Sequence, residues 1–346
     1  MKQLKITGYL LLLVLLITNC KMEKEKKYEW RACFNGAGGF PVKLHNGFLS
    51  YGDNGVGLRG GSGNGHPNAT WGEGGTYTGG DFMPIPKSLH LIWMSFIEDQ
   101  FYEAHIKLDT LKIKNILDKG YNCFIDKKVV KRYSQVFVVN VMPGGGVTVW
   151  LDSGDFNTEV GFYPQIATKT NINWKEFVPM GIQNRKKYID IYLSDIPNEL
   201  LEQYKTEGLP LDRWAGYRDV FKYNLGLKEY DEQIFIHTYL FNGEQQLLKN
   251  KSINIDYKGA FLEQGLPKEL RLVWKEENIY YTVNIKIKET ELEKMKLFFK
   301  EHNNTATFKV ETKYKNDPKG QIKLFLINGD DKEEVSLHPH IIYKDK

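Results

Sequence analysis

Ile85-Pro-Lys-Ser-Leu-His-Leu-Ile-Trp93 and Leu266-Pro-Lys-Glu-Leu-Arg-Leu-Val-Trp274 are two spellings of one segment, and their recurrence decides how the chain is read. In each, apolar residues alternate (Leu89, Leu91, Trp93; Leu270, Leu272, Trp274), the period of a half-buried strand. The similarity continues outward in order. Phe101-Tyr-Glu-Ala-His-Ile-Lys-Leu108 matches Tyr280-Tyr-Thr-Val-Asn-Ile-Lys-Ile287, and Pro143-Gly-Gly-Gly-Val-Thr-Val-Trp-Leu-Asp-Ser-Gly154 matches Pro318-Lys-Gly-Gln-Ile-Lys-Leu-Phe-Leu-Ile-Asn-Gly329. Glu159-Val160 with Pro164 then matches Glu334-Val335 with Pro339. Ordered matches whose offsets drift only from 181 to 175 read as one structural unit used twice.

Each half predicts a hairpin, a helix and a second hairpin. A short polar turn joins the Leu/Trp strand to the Phe-Tyr or Tyr-Tyr strand. In the first half Asp109 or Thr110 caps a helix carrying Leu111, Ile113, Ile116 and Leu117, and Gly120 closes it. In the second, Thr290 and Glu293 have capping-box spacing ahead of Leu292, Met295, Leu297 and Phe298. Val136–Val141 and Val147–Leu151 flank the Pro-Gly turn as the second hairpin. Hairpins imply antiparallel pairing. The expected fold class is therefore α+β: two related antiparallel β-sheet units, each with a packed helix. The expected domains are 28–226, containing a Gly-rich loop at 52–80, and 227–346, a degenerate second repeat. Between the repeats, Tyr188–Leu193 reads as a strand. Asp195-Ile-Pro-Asn-Glu reads as the start of a helix that ends near Gly208.

The N-terminus has the regions of an export signal: Lys2 and Lys5, an apolar run from Tyr9 to Ile17, then Thr18-Asn19-Cys20. The run is about half the roughly twenty residues that span a bilayer. Ile17-Thr18-Asn19-Cys20 resembles a lipobox, with Asn19 where Gly, Ala or Ser is usual. Residues 1–19 are expected to be a lipoprotein signal peptide and Cys20 the acylated residue, whose chains hold the protein to the lipid bilayer. Lys21-Met-Glu-Lys-Glu-Lys-Lys27 is charged and lacks a core-forming pattern, so 20–27 reads as a tether. Lys21, rather than Asp, after the cysteine points to an outer-membrane lipoprotein of a bacterial envelope, with the membrane face left open.

With 41% apolar and 26% charged residues the chain has an ordinary globular composition. Net charge is +4, or +2 without Lys2 and Lys5, with Lys and Glu interspersed. That balance gives no basis for nucleic-acid binding. Cys33 and Cys123 are candidates for a disulfide in an oxidising compartment, or else two free thiols.

Several of these segments resemble a known family. They are the lipobox, Thr70-Trp-Gly-Glu-Gly-Gly75, Pro84-Ile-Pro86, Phe101-Tyr102, Pro143-Gly-Gly145 leading to Trp150-Leu151, and Gly208-Leu-Pro-Leu-Asp-Arg-Trp-Ala-Gly-Tyr-Arg218. The set resembles bacterial lipoproteins grouped as domain of unknown function 2931, over roughly Tyr28 to Tyr223. The resemblance implies an envelope location and an α+β fold, and it brings no catalytic residues with it. Some such lipoproteins sit beside secreted toxic effectors, which implies a candidate role in immunity.

Chemistry-bearing patterns are sparse. Gly55-Val-Gly-Leu-Arg-Gly60 matches GxGxxG, but so many glycines follow that no helix can form to face a pyrophosphate, so no nucleotide is expected. The segment 52–80 is nevertheless the candidate binding loop, with Arg59, His66, Trp71, Glu73 and Tyr77 on backbone free to adopt positive φ. It has no counterpart in the second half. Residues kept in both halves, such as Trp93 and Trp274, are expected to be core. His338-Pro-His340 lacks a third metal ligand and reads as a strand end. Asp152, Asp155 and Glu159, echoed by Asp330, Asp331, Glu333 and Glu334, read as solvated turns rather than a calcium loop. No HExxH, GxSxG or P-loop occurs, and no metal or cofactor is expected. The expectation is a non-catalytic binding lipoprotein with a protein partner. The alternatives are an enzyme acting on envelope or glycan material through Arg59, His66 and Glu73, and a glycan-binding module stacking sugars on Trp71 and Tyr77.

Overall fold

A computed structural model describes residues 25–61, 64–125, 128–178, 184–226, 233–253, 255–256, 259–276, 278–313 and 321–345. The signal peptide, Cys20 and most of the tether lie outside the described residues, as do Pro318-Lys-Gly320. Among the described residues no helix is long and apolar enough to cross a membrane.

The first half runs β1 (Tyr28–Gly36), β2 (Val42–Tyr51), β3 (Asn54–Gly57), β4 (Thr78–Met83), β5 (Ser88–Ser95), β6 (Gln100–Lys107), helix α1 (Thr110–Lys119), β7 (Tyr121–Ile125), β8 (Lys128–Arg132), β9 (Gln135–Met142), β10 (Gly146–Asp152), β11 (Asn157–Tyr163) and β12 (Thr168–Thr170). They form two sheets and a separate hairpin. One sheet is ordered β4-β1-β9-β10-β11, the other β12-β6-β5-β2-β3, and among the described residues β7 pairs with β8 alone. Helices α2 (Trp174–Phe177), α3 (Arg185–Leu193), α4 (Asn198–Glu207) and α5 (Arg213–Gly216) lead to the second half. There follow β13 (Phe221–Gly226), β14 (Gln233–Leu240), β15 (Gln245–Asn250), β16 (Ile255–Asp256), β17 (Leu262–Gln264), β18 (Pro267–Glu276), β19 (Ile279–Lys286), α6 (Leu292–Glu301), β20 (Thr305–Lys313), β21 (Gln321–Asn328), β22 (Asp331–Val335) and β23 (Ile342–Asp345). One sheet is ordered β17-β13-β20-β21-β22; in the other the order is β23-β19-β18-β14-β15. The chain is α+β, dominated by strand.

Two expectations about pairing are corrected. The sheets holding β1 and β13 are mixed, because β1 runs parallel to β9 and β13 parallel to β20, whereas β12-β6-β5-β2-β3 is antiparallel throughout. In each case a long connection intervenes, which parallel neighbours require. Each half is also built from two sheets rather than one. Trp30 and Phe34 on β1, Leu91 and Trp93 on β5, and Phe137 and Val139 on β9 meet in one core, to which α1 adds Ile113 and Leu117.

The two halves share a sheet. β11 meets β15 at Asn157 and Gln245, which joins β4-β1-β9-β10-β11 to the second half's strands in one eleven-stranded sheet. Strands β9 and β10 are buried on both faces, which accounts for their nearly unbroken apolar runs. Phe137, Val139 and Val149 face the first core. Val138, Met142 and Trp150 face a second, shared with Leu270, Trp274, Phe299 and Phe308. β13, assigned from sequence to the first domain, is hydrogen-bonded to β17 and β20 of the second half.

Local readings of the helices meet mixed outcomes. Asp109 caps α1, its carboxylate accepting from the Lys112 amide at 2.9 Å, and Gly120 ends it at φ 57°. α4 ends at Gly208, φ 84°. Tyr188–Leu193 is helix, not strand. Asn184 caps it by accepting from the Lys187 amide, and Tyr188, Ile189 and Tyr192 turn one face onto Phe96 and its neighbours. The Thr290/Glu293 capping box does not form. Glu289–Glu291 make a 3₁₀ turn instead, and Glu291 accepts from the Ser336 amide at 3.1 Å.

Candidate functional site

The Gly-rich segment is built into the core. Three buried asparagines from three strands hold its backbone. Asn35 on β1 accepts from the Gly65 amide at 3.1 Å. Asn140 on β9 accepts from the Gly72 amide at 3.0 Å and donates to the Glu73 carbonyl at 3.1 Å. Asn157 on β11 donates to the Gly72 and Gly243 carbonyls, each at 2.8 Å. Each amide supplies a donor or acceptor that strand neighbours cannot, so these buried backbone groups of an irregular segment find partners.

The five candidate loop residues consequently part company. Trp71 is 8% exposed, edge-on to Trp150 at 5.0 Å and tilted against Trp214 at 5.9 Å. It is a core residue, which overturns the reading of it as a sugar-stacking platform. His66 faces Asp195 at 3.7 Å. Arg59 is exposed after β3, where the GxGxxG glycines form strand and strand exit rather than a helix start. Glu73 and Tyr77 are exposed and lie near Asp152; burial raises the Asp152 carboxyl, and the charges of Glu73 and Asp155 add to it. Among the described residues no hydrogen bond or ion pair joins Arg59, His66 and Glu73.

Three further expectations are corrected or placed. Cys33 and Cys123 are free thiols. Cys33 is buried under Gly74 with its thiol toward the Phe137 carbonyl, whereas Cys123 lies on the β7–β8 hairpin, its thiol toward Val130. Burial pushes the Cys33 thiol up to about 12. Glu159 is not in a solvated turn: it forms a largely buried ion pair with Arg218, whose guanidinium also lies 3.4 Å from the Phe162 ring centre. His340 accepts from the Ile322 amide at 3.2 Å and so serves a strand end.

The open surface with the shape of a binding site lies elsewhere, along the β7–β8 hairpin. A groove of about 390 Å³ is lined by Lys119, Tyr121, Gln135 and Phe156, and a second of about 630 Å³ by Lys26, Phe82, Arg132 and Tyr133; Lys131 lines both. Phe82 is 68% exposed and Tyr133 47%. Single exposed aromatics are ordinary, but aromatic and cationic side chains bordering one concavity are the composition of recognition surfaces. Asp118 on α1 fixes Lys26 and Tyr28 beside the second groove, accepting from Lys26 at 2.5 Å and from the Tyr28 hydroxyl at 2.7 Å. The cations around Asp118, Lys114 first, hold its carboxyl well below the usual carboxylate range.

A different constellation occupies the open face of the β12-β6-β5-β2-β3 sheet. His90 on β5 stands directly opposite His105 on β6, and Glu103 lies two residues before His105 on the same face. One Glu103 carboxylate oxygen contacts His90 Nε2 at 2.9 Å and His105 Nε2 at 3.2 Å. The two rings stack at 4.1 Å, 10° from parallel, and Phe48 on β2 meets His90 edge-on. The sequence reading passed over this group. Its signal was a Glu-x-His on one strand whose hairpin partner carries a histidine in register.

Residues 18–212, more than half of the chain, match the family described as "Protein of unknown function (DUF2931)". The chain belongs to this family. The DUF2931 region takes in the Gly-rich segment and its asparagines, the β7–β8 hairpin with both grooves, and the His90–Glu103–His105 group. It stops just before α5, leaving Trp214 and Arg218 beyond it. No curated protein and no solved structure matches the chain.

Proposed function

We propose that this DUF2931 protein is a membrane-anchored lipoprotein of the bacterial cell envelope that works by binding a protein partner in the grooves beside the β7–β8 hairpin. The observation that carries the reading is the meeting of two concavities at Lys131, bordered by Phe82, Tyr133 and Arg132. The lipobox and Cys20 support the anchor. Asp118 supports an orientation, because pinning Lys26 leaves only a few residues between a lipidated Cys20 and the folded surface. At about 3.3–3.6 Å per extended residue that leash spans roughly 20 Å, so the groove opens close to the bilayer. Immunity to a secreted effector is one specific form of this reading, and an adjacent effector gene would support it.

The two halves read as copies of one unit, and their pairing orders support this. β4-β1-β9-β10-β11 corresponds to β17-β13-β20-β21-β22, and β12-β6-β5-β2-β3 to β23-β19-β18-β14-β15. The β7–β8 hairpin falls outside this correspondence, as a feature specific to binding would.

The test is affinity capture from native envelopes with the full chain and with a Phe82→Ser, Lys131→Glu, Tyr133→Ser variant. Deleting the Gly-rich segment is unsuitable because Trp71 is core. One stoichiometric protein partner, lost in the variant, is expected. If the folded wild-type chain captures nothing, or the variant captures the same protein equally, the groove is not the site. Acyl-chain mass on Cys20, absent after Cys20→Ala, tests the anchor separately.

A further inference from the structure

The His90–Glu103–His105 group has no counterpart in the second half, although the hairpin that carries it does. There the register pair is Arg271 opposite Asn284, and Thr282 precedes Asn284 where Glu103 precedes His105. Trp93 and Trp274, and Tyr102 and Tyr281, stay aromatic and stacked in both hairpins because both must fill a core. Packing therefore explains the shared residues. It does not explain two imidazoles aimed at one carboxylate oxygen on the open face.

The donor atoms lie close enough to share one ion once the stacked imidazoles, 10° from parallel, turn their nitrogens toward it. A tetrahedral ion with bonds of about 2.0–2.2 Å to nitrogen and oxygen keeps its donors roughly 3.3 Å apart. Glu103 Oε1 lies 2.9 and 3.2 Å from the two Nε2 atoms, and all three donors fall within 4.8 Å of one another. His90 and Glu103 are partly covered, with side chains 17% and 31% exposed, and Phe48 braces the His90 ring. His105, 71% exposed, borders solvent. Two imidazole nitrogens and one carboxylate suit late first-row divalent ions and do not suit calcium or magnesium, which take oxygen ligands.

We propose that His90 Nε2, His105 Nε2 and Glu103 Oε1 bind one zinc-class divalent ion on the open face of this sheet, with its remaining coordination position turned to water. Binding displaces the protons that the imidazoles share with Glu103 and leaves the β5–β6 backbone in place. The site is separate from the grooves at β7–β8 and does not depend on the partner proposed for them.

Equilibrium dialysis of the full, untagged chain in detergent against zinc chloride tests this, with cobalt(II) absorption as a report on coordination. One equivalent is expected to bind, giving the visible bands of a four- or five-coordinate cobalt site. His105→Ala and Glu103→Gln are expected to weaken binding by at least about tenfold, whereas His338→Ala with His340→Ala leaves it unchanged. His105 is exposed enough that its alanine variant should keep the wild-type circular dichroism spectrum. Failure of the wild-type chain to take up a saturable equivalent overturns the proposal, as does uptake that survives His105→Ala in full.

Discussion

Gly72 and Gly243 lie back to back where the two halves meet, with no side chain between them. A β-carbon on Gly72 would sit 2.5 Å from the Gly243 carbonyl oxygen, and one on Gly243 would sit 3.0 Å from the Trp150 ring. Both residues have positive φ, 85° and 87°, and Asn157 donates to both carbonyls. Gly72→Ala must therefore move backbone as well as bear left-handed strain. It is expected to cost about 2–4 kcal/mol, read as a lower urea midpoint. A Gly72→Ala chain with an unchanged midpoint would show that the junction is looser than described.

Trp71→Ala separates core from binding platform. A buried tryptophan between Trp150 and Trp214 is expected to cost about 3–5 kcal/mol on truncation. A glycan platform would lose ligand and keep its stability. An unfolding midpoint within error of wild type would sink the packing role.

His237 gives the fold an acid sensitivity. It is 2% exposed, and its Nε2 has no hydrogen-bond partner among the described residues. Burial first, and then the charge of Arg271, push it down from 6.5 to about 4. Above pH 6.5 native and unfolded chains both carry neutral imidazole, and its contribution is fully present. Between 6.5 and about 4 the unfolded chain takes a proton that the native one refuses, so stability falls, levelling off below about 4. The total is at most about 3 kcal/mol. The difference between wild type and His237→Gln across a pH series of urea titrations isolates it from the carboxylates nearby. Parallel curves would rule it out.

The two free thiols of the folded region should differ in reactivity. Only thiolate attacks, and Cys33 is both buried and pushed up to about 12. A thiol reagent is expected to label Cys123 in the native protein and Cys33 only after unfolding, as mapped by peptide mass. Native labelling of Cys33 at the rate of Cys123 would contradict the packing of Gly74 over it.

What the sequence made legible was local. Asp109 caps the residues that follow it, and Leu89-Leu91-Trp93 alternates whatever else the chain does. The β5–β6 and β18–β19 hairpins follow directly. Helix α3 reads as a strand because Ile189, Ile191 and Leu193 satisfy period two while Tyr188, Ile189 and Tyr192 satisfy a helical face. Six residues cannot separate those periods. The burial of Trp71 had no local signal, since the asparagines that seat the segment sit on three strands that meet only once the sheet exists. The metal-ligand group was within reach. It needed the hairpin register, already in hand, to be applied to the face turned away from the core.

Strands β9 and β10 wear an apolar surface on each side, and on the Trp150 side their own half supplies only part of the cover, through Cys33, Phe40 and Trp71. A chain cut after α5 would lose the second half's share of that cover, Leu270, Trp274, Phe299 and Phe308, and leave the β11 edge open. A folded unit with such a wall and a free strand edge is a seed for aggregation. The second half is thus a resident shield, whether or not it ever touches a ligand.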